Sequence, residues 1–242
     1  MGILKKISRR LSKQPRCTAV IVAAGSASRM QGVDKVLADL GGKPVLLHTL
    51  LAFQQCGAVD EIVVVTRKDL LGPVGSLCRA SEISKVRNIV AGGAERSASV
   101  LAGLEYASAR ATLAAIHDGA RPLAAPALIE AVIGKAAQTG AAAPAVPVKD
   151  TVKIVQDGVV VETPDRGVLA AVQTPQVFDI DLLRAALYKA SQDGAVLTDD
   201  CAAVERIGMK VHLVEGSDEN LKITTPLDLA VARSILEGRR AP

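Results

Sequence analysis

The sequence predicts an α/β fold in which a mainly parallel sheet carries helices on both faces. Residues 18–23 (TAVIVA) form a continuous apolar run without the alternation of a half-exposed strand, which is typical of a strand buried on both sides. Runs of this kind alternate with helical segments along most of the chain. This alternation favours a doubly wound sheet with right-handed crossovers.

The predicted elements follow one another in a regular order. Strands are expected at residues 18–23, 61–66, 86–91, 113–117, 142–148 and 210–214. Helices are expected at residues 44–55, 95–107, 126–138, 181–192, 199–207 and 226–236. A length of 242 residues suits a single domain of this class, which we expect to span residues 17–242.

The regular order breaks at about residues 149–178. Two short alternating runs, residues 151–155 and 159–163, are joined by Gln156, Asp157 and Gly158. An Asp-Gly pair between alternating runs is a β-hairpin signal. We therefore expect a protruding arm here rather than a further strand of the sheet.

Composition excludes several classes of protein. Hydrophobic residues make up 49% and charged residues 22%, which excludes a disordered or collagen-like chain. Aromatic residues make up only 2%, which argues against single-stranded nucleic-acid binding, because such proteins stack bases on aromatic rings. The net charge is +4, but residues 1–16 carry six cations and no acid, so the remainder is slightly acidic. We therefore expect no nucleic-acid partner.

The basic N-terminal extension, residues 1–16, has two interpretations. It is either a disordered tail or a short amphipathic helix that binds a membrane surface or a partner. The sequence has no apolar stretch of about 18 residues and no apolar signal-peptide region, so we expect no integral membrane association.

The four cysteines are far apart and form no CxxC motif, which indicates free thiols and a cytoplasmic location.

Candidate ligand-binding residues follow the predicted strands, because open α/β sheets bind ligands beyond the carboxyl ends of their strands. The first strand is followed by the small-residue segment AAGSASRM, which contains Arg29, and then by Lys35. Small residues let backbone N–H groups approach a polyphosphate, and the two cations add positive charge. The segment matches neither GxxxxGK[ST] nor GxGxxG, and alone it is equally consistent with a surface turn.

Three other strand ends carry polar residues. HDGARP places Asp118 directly after a strand, where it could serve a magnesium ion or a ribose hydroxyl, or could merely cap the next element. GGAERS follows the third strand, and EGSDENLKIT, which contains Lys222, follows the last. Together with Arg29 and Lys35, these residues indicate a site for a magnesium–polyphosphate nucleotide.

Seven motifs carry a more specific resemblance. Over residues 19–232 they occur in the order AAGSASRM…DK, GGAERSASVLAGL, HDGARP, PVKDTVK, TPDR…QTPQVF, TDD and VEGSDENLKITTPLDL. In this order they closely resemble the 2-C-methyl-D-erythritol 4-phosphate cytidylyltransferase family. The resemblance implies a Rossmann-like nucleotidyltransferase sheet with a protruding arm, and a homodimer joined through the arms. It also implies CMP transfer from CTP to 2-C-methyl-D-erythritol 4-phosphate in non-mevalonate isoprenoid synthesis, with Mg²⁺ or another divalent cation.

The resemblance also implies roles for individual residues. The cations around the reacting phosphates would be Arg29, Lys35 and Lys222. The cytosine would face Ala23, Ala24, Gly25, Gly93 and Ser99. Asp118 would lie beside the ribose and the metal ion. On the arm, Thr151 and Arg166 would hold the acceptor in the neighbouring subunit's site.

Two residues depart from the family pattern. Ala27 stands where a second Gly is common, and Ala94 stands where an Asp often contacts the base. The second departure puts part of the side-chain recognition of cytosine in doubt, although backbone atoms could supply it.

The proposed chemistry needs alignment and charge neutralisation more than acid–base groups. The acceptor phosphate, with a second pKa of roughly 6, is already mostly dianionic at neutral pH. We expect the three histidines to be structural, because no two are spaced as metal ligands; they are His48, His117 and His212.

Two alternative functions remain: a cytidylyltransferase for another alditol phosphate, such as ribitol 5-phosphate, and a nucleotide-binding regulatory protein without catalysis.

Overall fold

An eight-stranded mixed sheet forms the centre of the molecule. The computed structural model describes residues 15–25 and 34–239. The strands of the central sheet are β1 (Cys17–Ala23), β4 (Glu61–Thr66), β5 (Val86–Ala91), β6 (Leu113–Asp118), β7 (Ala141–Pro147), β10 (Ala170–Val172), β11 (Gln176–Asp179) and β12 (His212–Glu215). The spatial order is β5-β4-β1-β6-β11-β7, and β7 also pairs with β10 and β12.

Helices cover both faces of this sheet. They are α1 (Val45–Gln55), α2 (Leu71–Ala80), α3 (Arg96–Glu105), α4 (Pro126–Thr139), α5 (Ile180–Gln192), α6 (Asp200–Arg206) and α7 (Pro226–Gly238). Side chains of β1 alternate between two cores: Ile21 packs in one with α1, α2 and α4, and Val20 packs in the other with α3, α5 and α6. The predicted α/β class, with helices on both faces, is confirmed.

The predicted strands lie close to their expected positions. β1 pairs in parallel with β4 and β6, and β4 pairs in parallel with β5. β12 also runs parallel to β7. Nearly every residue of β1, β4 and β6 is buried, which explains why these strands are continuously apolar.

The arm is shorter than the expected range 149–178. Only β8 (Ile154–Gln156) and β9 (Val159–Glu162) form a separate two-stranded hairpin. Their turn uses Asp157 and Gly158, both with positive φ (49° and 78°), as a two-residue hairpin turn requires. The end of the range returns to the central sheet, where β10 pairs antiparallel with β7, and β11 lies antiparallel between β6 and β7. The sheet is therefore mixed rather than parallel throughout.

Smaller elements complete the described fold. β2 (Asp39–Leu40) and β3 (Lys43–Pro44) form a second small hairpin before α1. Helix α7 packs beside this hairpin, in a third apolar cluster that contains Leu40 and Ala232. In the part of the chain that the structure describes, no helix is long and apolar enough to cross a membrane.

Candidate nucleotide site

The carboxyl ends of the parallel strands surround a cavity of about 400 Å³. It brings together eight of the residues that the sequence singled out: Ala23, Ala24, Gly25, Lys35, Gly93, Ser99, Asp118 and Lys222. Two additional arginines, Arg67 and Arg96, also line it. Arg29 and Ala27 lie outside the described residues. The cavity is thus where the fold class and the sequence pattern both place a ligand.

Asp118 is the centre of the charged groups in this cavity. It ends β6, and its carboxylate lies 2.9 Å from Nζ of Lys222, 3.5 Å from Nε of Arg96 and 3.6 Å from Nε of Arg121. Burial disfavours its ionised form, but the neighbouring cations, Lys222 first, outweigh burial and hold the pKa of the Asp118 carboxyl well below its usual range. Asp118 is therefore ionised at neutral pH.

Arg96 links this centre to the TDD motif. It begins α3, and one terminal nitrogen lies 2.7 Å from Oδ2 of Asp200, a carboxylate that is only 1% exposed. Burial raises the pKa of Asp200, although the adjacent guanidinium opposes that rise. Both residues lie in motifs of the sequence, GGAERS and TDD, that predicted no role for either side chain. Their pairing joins segments that lie far apart in the sequence, so local spacing could not reveal it.

His117 anchors the backbone behind Asp118. Its Nε2 lies 3.1 Å from the carbonyl of Arg121, so Nε2 carries the proton and Nδ1 accepts from the Thr174 hydroxyl at 3.0 Å. The Thr174 oxygen in turn accepts from the backbone N–H of Asp118 at 3.2 Å. Burial lowers the pKa of His117 to about 4, which keeps the imidazole neutral. Its expected structural role is supported by these contacts.

The loop that carries Lys222 is fixed by Asn220. The Asn220 side chain is fully buried and donates to the carbonyl of Thr174 at 2.9 Å. The backbone carbonyl of Asn220 accepts from a terminal nitrogen of Arg121 at 2.6 Å. Gln173 also donates to the carbonyl of Ser217 at 2.8 Å. These contacts attach the loop after β12 to the segment between β10 and β11.

Small residues pack closely where the segment after β5 meets the segment after β1, at the edge of the cavity. A Cβ atom on Gly92 would lie 2.5 Å from Cβ of Ala24 and 2.7 Å from Oγ of Ser99, so a side chain cannot be accommodated without displacement. The N–H of Gly93 donates to Oγ of Ser99 at 3.2 Å. The segment after β5 is therefore held directly against the one after β1.

The two arm residues lie elsewhere. Thr151 and Arg166 are exposed, and neither lines the cavity of its own chain. Arg166 donates instead to the carbonyl of Lys149 at 3.0 Å. Lys149 forms an exposed ion pair with Asp218 at 2.6 Å, so the base of the arm contacts the loop that carries Lys222.

The site suits a metal that arrives with phosphate rather than one held by protein alone. Among the described residues, no group of three or more His, Cys, Asp or Glu side chains could enclose an ion. Mg²⁺ in nucleotide sites is commonly held by one or two carboxylates together with substrate phosphates and water. Asp118 supplies one ionised carboxylate in the cavity, which fits that mode.

The four cysteines are free and buried, as the absence of a CxxC motif predicted. Burial raises the pKa of Cys17, Cys56, Cys78 and Cys201, so none carries a reactive thiolate at neutral pH.

Comparison with known proteins identifies the same family as the motifs do. Residues 17–238 match the 2-C-methyl-D-erythritol 4-phosphate cytidylyltransferase family. A protein of that name from Halalkalibacterium halodurans is 45% identical over 220 residues, which cover 90% of this chain and 96% of the relative. Another from Syntrophotalea carbinolica is 44% identical over 225 residues, with coverages of 90% and 95%.

Solved structures give a matching result. A 4-diphosphocytidyl-2C-methyl-D-erythritol synthase from Anaerococcus prevotii has a TM-score of 0.84 and 31% identity, covering 94% of this chain and 98% of its own. The 2-C-methyl-D-erythritol 4-phosphate cytidylyltransferase of Thermus thermophilus has a TM-score of 0.75 and 33% identity, with coverages of 90% and 98%. The similarity thus extends over nearly the whole chain.

Proposed function

This chain belongs to the 2-C-methyl-D-erythritol 4-phosphate cytidylyltransferase family, and we propose that it transfers CMP from CTP to 2-C-methyl-D-erythritol 4-phosphate. The products are the CDP-alcohol and pyrophosphate, and the reaction is a step of non-mevalonate isoprenoid synthesis. The observation that carries the proposal is the cation cluster around Asp118, which lies at the carboxyl ends of the strands, where open α/β sheets commonly bind ligands.

The proposed reaction is an in-line displacement at the α-phosphorus of CTP. A phosphate oxygen of the acceptor forms the new P–O bond while the bond to the β-phosphate oxygen breaks and pyrophosphate leaves. The acceptor is mostly dianionic at neutral pH, so no side chain has to remove a proton. Catalysis then consists of alignment and of neutralising negative charge in the transition state.

Lys35, Lys222 and Arg29 are the proposed catalytic cations. Lys35 and Lys222 both line the cavity, and Lys222 is pre-positioned by its contact with Asp118. Removing such a cation does not remove a core side chain, because Lys222 is 39% exposed. Arg29 is included on the family resemblance of its motif.

Asp118 is proposed to serve both the ribose and the divalent cation, normally Mg²⁺. The bound cation would neutralise phosphate charge, and Asp118 would orient it. In the structure, Lys222 and Arg96 neutralise this carboxylate. When a nucleotide enters, its phosphates offer those cations alternative anionic partners.

Recognition of the base is assigned to the closely packed segments after β1 and β5. Its proposed residues are Ala23, Ala24, Gly25, Gly93 and Ser99, acting mostly through backbone groups. Ala94 offers no polar side chain, so backbone N–H and C=O groups must supply the contacts that an Asp would make. The preference for CTP over UTP, ATP and GTP therefore has to be measured directly.

The hairpin is proposed to join two copies into a homodimer. Its apolar side chains are exposed, including Val155 at 56%, Val159 at 65% and Val161 at 56%. An exposed apolar patch of this kind is typical of a protein interface. On the family resemblance of their motifs we assign Thr151 and Arg166 to the acceptor pocket of the neighbouring subunit, and neither of them lines the cavity of its own chain.

Two remaining assignments concern the chain as a whole. We propose that residues 17–242 form the catalytic domain and that residues 1–16 are a basic extension to it. The four buried, unpaired thiols support a cytoplasmic location, because such thiols persist in a reducing compartment.

A pyrophosphate-release assay tests the proposed function. The full chain is incubated with Mg²⁺, with CTP, UTP, ATP or GTP, and with either 2-C-methyl-D-erythritol 4-phosphate or ribitol 5-phosphate. We expect fast release only with CTP and the methylerythritol phosphate. Faster release with ribitol 5-phosphate would identify a different alditol phosphate as the acceptor, and no release in any combination would indicate a binding protein without catalysis.

A further inference from the structure

Lys35 is held in a short turn headed by Asp34. The carbonyl of Asp34 accepts from the N–H of Leu37 at 3.0 Å, and its Oδ1 accepts from the N–H of Val36 at 3.1 Å. Val36 is only 2% exposed, and its carbonyl accepts from the N–H of Leu46 at 2.8 Å. The side of the turn that follows Lys35 is therefore fixed to helix α1 and the core.

Asp34, the residue that precedes Lys35, is attached instead to the segment that follows β4. Arg67 directly follows β4, lines the same cavity as Lys35, and places a terminal nitrogen 2.6 Å from Oδ2 of Asp34. The two side chains are 31% and 17% exposed, so this ion pair is more shielded from water than an ordinary surface pair. Arg67 also contacts the exposed Asp69 at 2.9 Å, a partner that does not belong to the turn.

We propose that Arg67 is a positioning residue that, through Asp34, holds Lys35 at the nucleotide phosphates. Lys35 lies between the two anchored residues, Asp34 and Val36. Loss of the Arg67 contact would free one side of the turn while leaving the other attached. The Lys35 ammonium would then occupy a wider range of positions, and a misplaced cation stabilises the transition state less. This inference rests on the proposed role of Lys35 in CTP turnover.

The two carboxylate partners of Arg67 provide a matched comparison. Asp34→Asn removes the ion pair but keeps a side-chain oxygen that can accept from the N–H of Val36. Asp69→Asn removes the other partner of the same arginine without altering the turn. We expect Asp34→Asn and Arg67→Gln to lower kcat/KM for CTP roughly 10–100-fold, whereas Asp69→Asn stays within about twofold of the wild type. Arg67→Lys should recover only part of the loss, because lysine has one amine in place of the planar fork.

A double-mutant cycle tests whether the effect passes through Lys35. In a Lys35→Ala background, Asp34→Asn should cause little additional loss, because the group that it positions is already absent. Melting temperatures of all variants check that the fold is retained. A full additional loss in that background, or equal effects of Asp34→Asn and Asp69→Asn, would overturn the inference while leaving the proposed function intact. Absence of CTP turnover by the wild type would instead defeat the proposed function and this inference with it.

Discussion

Asp118, at the end of β6, is a charged residue that is also buried. Asp118 retains its negative charge in a buried position because Lys222, Arg96 and Arg121 surround it. Asp200 in turn partners Arg96 from the other side. Since each of these charges has a charged partner within the protein, the side chains are held in place, which would pre-organise the cluster for the proposed charged substrate.

Lys35 and Lys222 give the first prediction at this scale. We expect Lys35→Ala and Lys222→Ala each to lower kcat by roughly 10²–10³, or about 3–4 kcal/mol of transition-state stabilisation. The melting temperature should change little for Lys35→Ala, because Lys35 lies in a loop, and should fall modestly for Lys222→Ala, because the buried Asp118 then keeps only Arg96 and Arg121 as cationic partners. Lys210→Ala, which removes an exposed lysine before β12, is the control and should retain full turnover. Near-wild-type kcat in either test variant would remove that lysine from the catalytic set.

His117 gives a prediction on stability and pH. Burial lowers its pKa from 6.5 to about 4, so between these values the unfolded chain binds more protons than the folded one. The free energy of unfolding should therefore fall by about 3 kcal/mol as pH drops through this window. Asp118 adds little loss there, because its lowered pKa reduces stability mainly below its unfolded value of 3.8.

The measurement is urea unfolding at several pH values, without nucleotide or divalent cation. His117→Gln should show a smaller fall in unfolding free energy between pH 6.5 and 4 than the wild type. His212→Gln is the control, because His212 is exposed on β12. An unchanged slope in His117→Gln would mean that His117 does not titrate with a depressed pKa.

At the scale of elements, the order of most strands and helices could be predicted from the sequence, but β11 and helix α2 could not. The strands of the parallel core stand out because both their faces are buried. β11 has only four residues and lies at the end of the segment that was expected to form the arm, so its place between β6 and β7 left no local signal. Helix α2 was missed because Gly72, Pro73 and Gly75 lower its helical propensity, although proline is tolerated in a first turn.

Part of the lining of the candidate cavity could also be predicted from the sequence. Residues next to strand ends were found because topology alone brings strand ends together. Asn220, Gln173 and Thr174 were not assigned a role, since their contacts join loops that are more than forty positions apart. Such long-range hydrogen bonds have no spacing pattern in the sequence.

The loop after β12 gives a prediction at the element scale. Asn220→Ala leaves the carbonyl of Thr174 without its buried donor, which should cost about 1–3 kcal/mol of unfolding free energy and reduce turnover by loosening Lys222. Asn88→Ala removes a longer contact near the surface, 3.4 Å to the carbonyl of Tyr106, and should cost less. Urea unfolding and kcat measure both. Equal, small effects of the two substitutions would show that Asn220 does not fix the loop.

At the scale of the whole molecule, the proposed site shared between two subunits predicts recovery of activity when two inactive variants are mixed. If Arg166 serves the neighbouring subunit, Lys35→Ala and Arg166→Ala homodimers should both be nearly inactive. In a heterodimer of the two, one site receives both lesions and the other receives neither. Random mixing gives about half heterodimers, each with one intact site, so roughly a quarter of wild-type activity should return.

The experiment dissociates and reassociates an equal mixture of the two variants and confirms subunit exchange by mass. Reassociation of each variant alone is the control. Complete exchange without recovered activity would mean that Arg166 acts within its own chain or outside the site.

The transfer reaction is tested most directly by following an isotopic label in the phosphate of the acceptor. The full chain is incubated with CTP, Mg²⁺ and 2-C-methyl-D-erythritol 4-phosphate whose terminal phosphate oxygens carry a heavy isotope, and the products are analysed by ³¹P NMR and mass spectrometry. We expect one labelled oxygen to bridge the two phosphorus atoms of a CDP-alcohol, and the pyrophosphate to be unlabelled. Labelled pyrophosphate, or CTP consumption without a CDP-alcohol, would contradict cytidylyl transfer at this site.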